Sequence, residues 1–366
     1  MIYDLIVVGA GPAGCSTAIT AARGGARVLL LERSRFPRHK VCGEFVSAES
    51  LDLLTQLLVP AYHDLIIKAP RITTARVFSD GAEVPAEIDP AAASISRHDL
   101  DLALWQSACE SGVHTQDQTN IQSVEPSNDG FRVSTEGCEF VGRSVVNATG
   151  RWSFLTNAAI RERNTKVRWL GLKAHFREPN AACSVDLYFF HGGYCGVQPV
   201  ISAGNGSSSL INACAMVKAD VAKNLAQVFA AHPSLRERSR QWEPAMAPVS
   251  TSPLIFHRPE PVAGRILNVG DSATFVDPFI GDGISLALRS GDLAARSLRP
   301  FFQGECSLDD ACVAYERQYR ERLAPVFHAS SKLRTFMKLP SLVRRPVMSL
   351  LQRTPSITRS LVRMTR

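Results

Sequence analysis

Near the start of the 366-residue chain, Gly9, Gly11 and Gly14 form a G-x-G-x-x-G directly behind the apolar run Leu5-Ile6-Val7-Val8. Glycines at this spacing suit a turn that holds phosphates. Gly9 permits the tight reversal from strand to helix, Gly11 lets backbone approach a pyrophosphate, and Gly14 allows helix to pack closely on strand. A helix from about Pro12 and Ala13 points its first N–H groups at the phosphates, and Pro12 is tolerated because its missing donor would be unpaired there. Glu32 closes the next apolar run, Arg27 to Leu31, where a carboxylate can accept hydrogen bonds from a ribose; Arg33 follows it. Strand, glycines, helix, strand and acid stand in register for a dinucleotide site.

A second motif carries related chemistry. After the apolar run Ile266-Leu267-Asn268-Val269 come Gly270-Asp271-Ser272-Ala273, then Asp277-Pro278-Phe279-Ile280-Gly281-Asp282-Gly283-Ile284, and a helix with small residues at Ala287, Ser290, Gly291 and Ala294. A glycine turn opening a helix offers fixed N–H donors and a positive dipole end to a developing anion. The segment resembles the second fingerprint of FAD enzymes grouped with p-hydroxybenzoate hydroxylase, geranylgeranyl reductase and the flavin halogenases, nearest to geranylgeranyl reductase-like proteins. The resemblance implies an α/β fold, with a Rossmann-like FAD-binding domain of the glutathione reductase type, an inserted antiparallel β-sheet substrate domain and a helical C-terminal tail.

It also implies roles residue by residue. Asp271 would hold a ribitol hydroxyl, while Gly270, Pro278, Gly281, Gly283 and Ile284 bring backbone to the pyrimidine edge of the flavin. Arg97, in the segment Ser96-Arg97-His98-Asp99-Leu100-Asp101 that opens an amphipathic helix, would lie against the dinucleotide. Pro37-Arg38-His39-Lys40-Val41-Cys42-Gly43-Glu44 is similar to a P-R-x-K-x-C-G segment that passes near the isoalloxazine ring, which makes Cys42 both a cofactor and a catalytic candidate. Gly150 lies in Asn147-Ala148-Thr149-Gly150-Arg151-Trp152-Ser153, where Thr149 replaces the aspartate of many relatives. FAD is the implied cofactor, with NAD(P)H or another reductant as electron donor.

The elements that must position these residues follow from pattern. The cofactor domain is expected to be discontinuous, from 1–70, 95–165 and 260–300. The substrate domain takes 71–94 and 166–259, and 301–366 forms a basic helical region. Alternation predicts strands at Trp169–Phe176, Val185–Phe190 and Ser208–Ala215, and Asn128-Asp129-Gly130 signals a hairpin. Lys173, His175, His191, Tyr194 and Gln198 fall on the substrate sheet as contact candidates, with His191 and Tyr194 joining Cys42 as catalytic candidates.

Composition narrows the classes. Hydrophobic residues at 45% and charged residues at 20% suit an ordinary globular protein. The 9 cysteines contain no C-x-x-C pair, which reads as reduced thiols with no metal site. A strand from Ile2 leaves no room for a signal peptide, and no apolar run is long enough to span a membrane, so a cytoplasmic location is expected. The net charge of +7 is concentrated in the tail, since residues 317–366 hold 12 Lys and Arg against the single acid Glu321. Apolar residues interleave those charges as short amphipathic helices broken by Pro340, Pro346 and Pro355. The tail is therefore a candidate for peripheral contact with an anionic membrane. No stacking-aromatic motif accompanies it, so nucleic acid is not an expected partner. The sequence gives no oligomeric state.

An apolar small molecule, polyketide-, aromatic- or isoprenoid-like, is the expected substrate. Where geranylgeranyl reductases show Y-x-W-x-F-P, this chain reads Tyr194-Cys195-Gly196-Val197-Gln198-Pro199. That loss of aromatic residues makes flavin monooxygenation the leading reaction, with reduction or dehydrogenation at a carbon–carbon bond as the alternative and a non-enzymatic flavin-binding partner as the third. The halogenase W-x-W-x-I-P is absent around Trp152 and Trp169, which disfavours halogenation.

Overall fold

The apolar runs of the first 32 residues become parallel strands buried on both faces, as short β-branched and leucine-rich segments do in a doubly wound sheet. A computed structural model describes residues 1–152, 168–201, 210–252, 254, 256, 258–337 and 339–354. Ser153, the boundary expected near 165, the first residues of the expected 208–215 strand and Pro355 lie outside these.

The cofactor sheet takes β1 (Ile2–Val8), β2 (Val28–Leu31), β6 (His114–Gln116), β7 (Ile121–Ser127), β8 (Gly130–Thr135), β9 (Glu139–Asn147), β16 (Val262–Ala263) and β17 (Ile266–Asn268). Its order is β16-β17-β9-β1-β2-β6, with β8 beside β9 and β7 beside β8 across the Asn128-Asp129 hairpin. Val8 is in register with Leu31 and Asn147, and Asn147 with Asn268. Neighbouring parallel strands therefore release Gly9, Glu32, Ala148 and Gly270 at one carboxyl edge, where α/β sheets bind ligands.

Two helices cover this sheet from one side. α1 (Pro12–Arg23) starts on the glycine turn, and α2 (Arg97–Glu110) is N-capped by Ser96, whose hydroxyl accepts from the Asp99 amide at 3.2 Å. The small residues beyond Gly283 place α3 (Gly283–Phe302) tight against α1. A Cβ on Gly291 would stand 2.2 Å from the Ala13 carbonyl, and Ser16 donates to the Leu288 carbonyl at 2.7 Å.

The second sheet takes β3 (Phe45–Val46), β4 (Arg71–Ser79), β5 (Ala82–Ser94), β10 (Trp169–Arg177), β11 (Ser184–Phe190), β12 (Gly193–Pro199), β13 (Leu210–Lys218), β14 (Glu243–Pro244) and β15 (Val249–Thr251). Its order is β14-β10-β13-β12-β11-β4-β5-β3, with β15 beside β10. Alternation divides its faces. Leu172, Ala174 and Phe176 of β10, with Ile211, Ala213 and Ala215 of β13, build a core with Leu225, Val228 and Leu235. Lys173, His175, Asn212 and Met216 consequently face the other way, toward the cofactor layer.

The tail forms α4 (Leu308–Arg322), opened by a capping box of Ser307 and Asp310, then α5 (Ala324–Met337) and α6 (Ser341–Arg353). Pro346 does not break the tail as its sequence suggests, but lies inside α6. The hydrogen bond it cannot make leaves the carbonyl of Leu342, a residue 80% exposed, so water can take that bond. Among the described residues no helix is long and apolar enough to cross a membrane.

Candidate active site

A cleft of about 620 Å³ opens between the two sheets. Gly9, Gly11, Pro12, Ala13, Glu32 and Arg33 line it on one side, and Gly270, Asp271, Pro278, Gly281, Gly283 and Ile284 on another. Cys42, Arg97 and Gly150 complete the meeting of the two motifs, with Tyr194 on the substrate sheet. The three glycines of the first motif differ in what they serve. Gly9 has φ +100°, and a Cβ there would lie 2.4 Å from the Ala148 carbonyl; one on Gly14 would lie 1.8 Å from the Gly9 carbonyl. Those two are glycine for the fold. A Cβ on Gly11 would meet only Arg97 Nη2 at 3.9 Å, so its missing side chain leaves room for a ligand and not for the protein.

A chain of charges braces the ribose side. Glu32 Oε2 accepts from the Ala10 amide at 2.9 Å and from Arg38 Nη2 at 3.1 Å, and Oε1 accepts from the Ser34 amide at 3.0 Å. Burial opposes its charge, but Arg38 and the two amides outweigh that and lower its pKa. Arg38 also donates to Asp101 at 2.9 Å, and Asp101 takes both Nε and Nη2 of Arg97 at 2.6 and 2.8 Å. The guanidinium of Arg97 is thereby held at the cleft wall in one orientation. Asp271 stands 3.6 Å from Arg151 Nε, and Arg151 lies over the Phe275 ring at 4.6 Å.

Between these walls the Cys42–Gly43–Glu44 turn is fastened to the substrate sheet. Asn212 Nδ2 donates to the carbonyls of Cys42 and Gly43 at 3.0 and 2.9 Å. Glu44, at φ 63°, is fully buried and accepts from the Arg97 amide at 2.7 Å. Its carboxylate forms an ion pair with Lys173 Nζ and lies 2.7 Å from His175 Nε2. Burial alone would neutralise it, yet Lys173 and His175 hold its pKa down at about 2. His39 also lines the cleft. Its ring stands 5.8 Å edge-on from His175 and 4.8 Å from His98, which in turn lies 2.9 Å from Asp99.

The FAD binding domain family matches residues 3–326 of this chain. The chain belongs to that family. It is similar to the menaquinone reductase of Mycolicibacterium smegmatis, 26% identical across 92% of this chain and 85% of that protein. Digeranylgeranylglycerophospholipid reductase 1 of Methanothermobacter thermautotrophicus is 25% identical across 80% of this chain and 76% of its own. In fold it matches the flavin-dependent brominase Bmp2, with a TM-score of 0.76 at 21% identity over 99% of this chain and 98% of that one. This family member is accordingly an FAD-dependent oxidoreductase.

The cleft fits that cofactor. The open space over Gly11, the carboxylate of Glu32 and the first amides of α1 would hold the adenosine and phosphate half. Asp271 and the 278–284 turn would hold the flavin half, where Gly283, like Gly150, has no atom within 4 Å of a built Cβ.

On the substrate side, Tyr194, Met216, Leu254 and Phe275 form an apolar wall, and burial raises the Tyr194 pKa far above its usual value. His191 stands apart from the site: it is exposed on the β11–β12 turn and does not line the cleft. Gln198 donates to Ser94 Oγ at 2.6 Å, and neither it nor Gly196 lines the cleft. Lys173 and His175, for which no partner was evident in sequence, share Glu44. Sequence reasoning passed over Glu44 and His39. The signal was a lysine and a histidine two apart in an apolar strand, which must bury a charge on one face and so require an acid opposite.

Proposed function

We propose that this protein is an FAD-dependent reductase that saturates a carbon–carbon double bond in an apolar, isoprenoid-type substrate. The carrying observation is the buried Lys173–Glu44–His175 cluster with His39 at the cleft beside Cys42. Adding hydrogen across such a bond needs a hydride on one carbon and a proton on the other. Reduced FAD, when bound, supplies the hydride. His39 is suited to the proton: it lines the cleft, and burial, then Lys173 and the neighbouring His98 and His175, lower its pKa, which makes its protonated ring a stronger acid. His98, half-buried and next to Asp99, can return a proton from solvent. Lys173 and His175 fix Glu44, and Glu44 with Asn212 fixes the turn that carries Cys42.

The similarity to two enzymes named as reductases supports this reading over monooxygenation. The substitutions at Gly196 and Gln198 that favoured oxygenation lie away from the cleft lining and lose their force. The apolar wall suits a prenyl chain, and NAD(P)H or another reductant would restore the flavin.

The test is anaerobic. Enzyme with reduced FAD is mixed with a geranylgeranyl lipid, expecting reoxidation of the flavin and a product heavier by one pair of hydrogens. His39→Asn should keep FAD and slow that step about 100-fold. Reoxidation only on admitting oxygen, with an oxygen atom in the product, overturns the reading in favour of a monooxygenase.

A further inference from the structure

Five of the exposed large apolar side chains in the described structure belong to one short stretch: Leu339 at 38%, Leu342 at 80%, Val343 at 51%, Val347 at 37% and Leu350 at 55%. All but Leu339 lie on α6, and Leu339 is separated from it by the N-cap residue Pro340. At about 100° per residue the four on α6 fall within an arc of about 140°, on the side of α6 away from Met348. Met348 is buried at 3% exposure, and Arg344 grips Asp80 through Nε and Nη2 at 3.0 and 2.9 Å, which fastens α6 to the β4–β5 hairpin of the substrate sheet. The clamp aims the apolar stripe outward. Arg345, exposed, borders it, and Arg353, also exposed, follows it at the C-terminal end of α6.

We propose that α6 is a preformed interfacial helix that seats the enzyme on an anionic lipid bilayer. An outward apolar stripe bordered by arginines is the pattern of helices that lie in the plane of a membrane surface. Charge selects the bilayer over a second copy of the chain. The stretch 341–353 contains three arginines and no acid, within a region 317–366 that holds 12 basic residues against Glu321. Two such faces would repel each other, whereas anionic headgroups attract them. A helix already folded and clamped by Asp80 needs no ordering on contact, so the whole apolar stripe is available for insertion.

The test uses the full-length FAD-loaded protein and flotation with phosphatidylcholine vesicles, with and without phosphatidylglycerol. The expected result is recovery with the phosphatidylglycerol vesicles, weakened by salt, and little with phosphatidylcholine alone. Leu342→Ser combined with Leu350→Ser should lower the bound fraction about tenfold, and Arg345→Glu with Arg353→Glu should do so for the anionic vesicles, both with unchanged FAD content and melting temperature. No recovery with either vesicle overturns the proposal, as does binding that the serine pair leaves unchanged. A dimer that the serine pair converts to monomer overturns it in favour of a second copy covering this face.

Discussion

Replacing Glu44 with glutamine keeps the side chain's size, its backbone site and an acceptor for the Arg97 amide, and removes only the charge that Lys173 and His175 face. A folded-state pKa of about 2, against an ordinary 4.5, corresponds to about 3 kcal/mol of native stability at neutral pH. Stranding the buried Lys173 ammonium is a second route to the magnitude, at about 3–5 kcal/mol for one partner removed from a buried pair. The sign follows from the direction of the shift. Because the folded pKa is depressed, the contribution is complete above pH 4.5 and is lost as pH falls toward about 2. Urea unfolding of both FAD-loaded proteins at about pH 7, 5, 4 and 3 should give a gap of about 3 kcal/mol that narrows to about half at the lowest pH. A gap that does not change with pH, or one under about 0.5 kcal/mol at neutral pH, refutes the account of Glu44 as a paired buried anion.

Gly11→Val should fold with near-normal stability yet lose FAD, because the added carbons enter the cleft and not the protein; Gly14→Val should fail to fold, and visible absorbance with circular dichroism separates the two outcomes. Retention of FAD by Gly11→Val would show that the phosphates bind elsewhere. Asp271→Ala should weaken FAD binding by about 1–3 kcal/mol with the fold intact, and an unchanged dissociation constant in flavin fluorescence titration would remove Asp271 from the site.

The cofactor half was legible because its information is local. The G-x-G-x-x-G spacing, the Ser96 cap and the Asn128-Asp129-Gly130 hairpin each encode their geometry within a few residues, and each element formed where its signal stood. The centre of the cleft was not legible in the same way. Glu44 and Lys173 are 129 residues apart in sequence, and only the packing of one sheet on the other brings them together. His39 carried no periodic signal, and its meaning comes from ring contacts with His98 and His175 on separate elements. His191 failed as a candidate because alternation assigns a face only within a strand, and the chain turns at that residue. Pro346 misled because a proline inside a helix costs one hydrogen bond and crowds the carbonyl one turn back, and here that turn, at Leu342, faces solvent, where water can take the bond.

The tight seat of α1 against α3 at Gly291 has a consequence for how the protein is made. The ribosome releases the first motif near residue 11 but the helix that covers α1 only after residue 302. At about 5–20 residues per second that interval is on the order of 10–60 s. Throughout it the buried side of α1, with Ala13, Cys15, Ala18 and Ile19, lacks part of its cover, and the turn at 278–284 does not yet exist. Flavin capture therefore belongs to the end of synthesis. Ribosomes halted before residue 302 on this message would hold chains whose opening βα unit lacks the helix that covers it, with that apolar side left open.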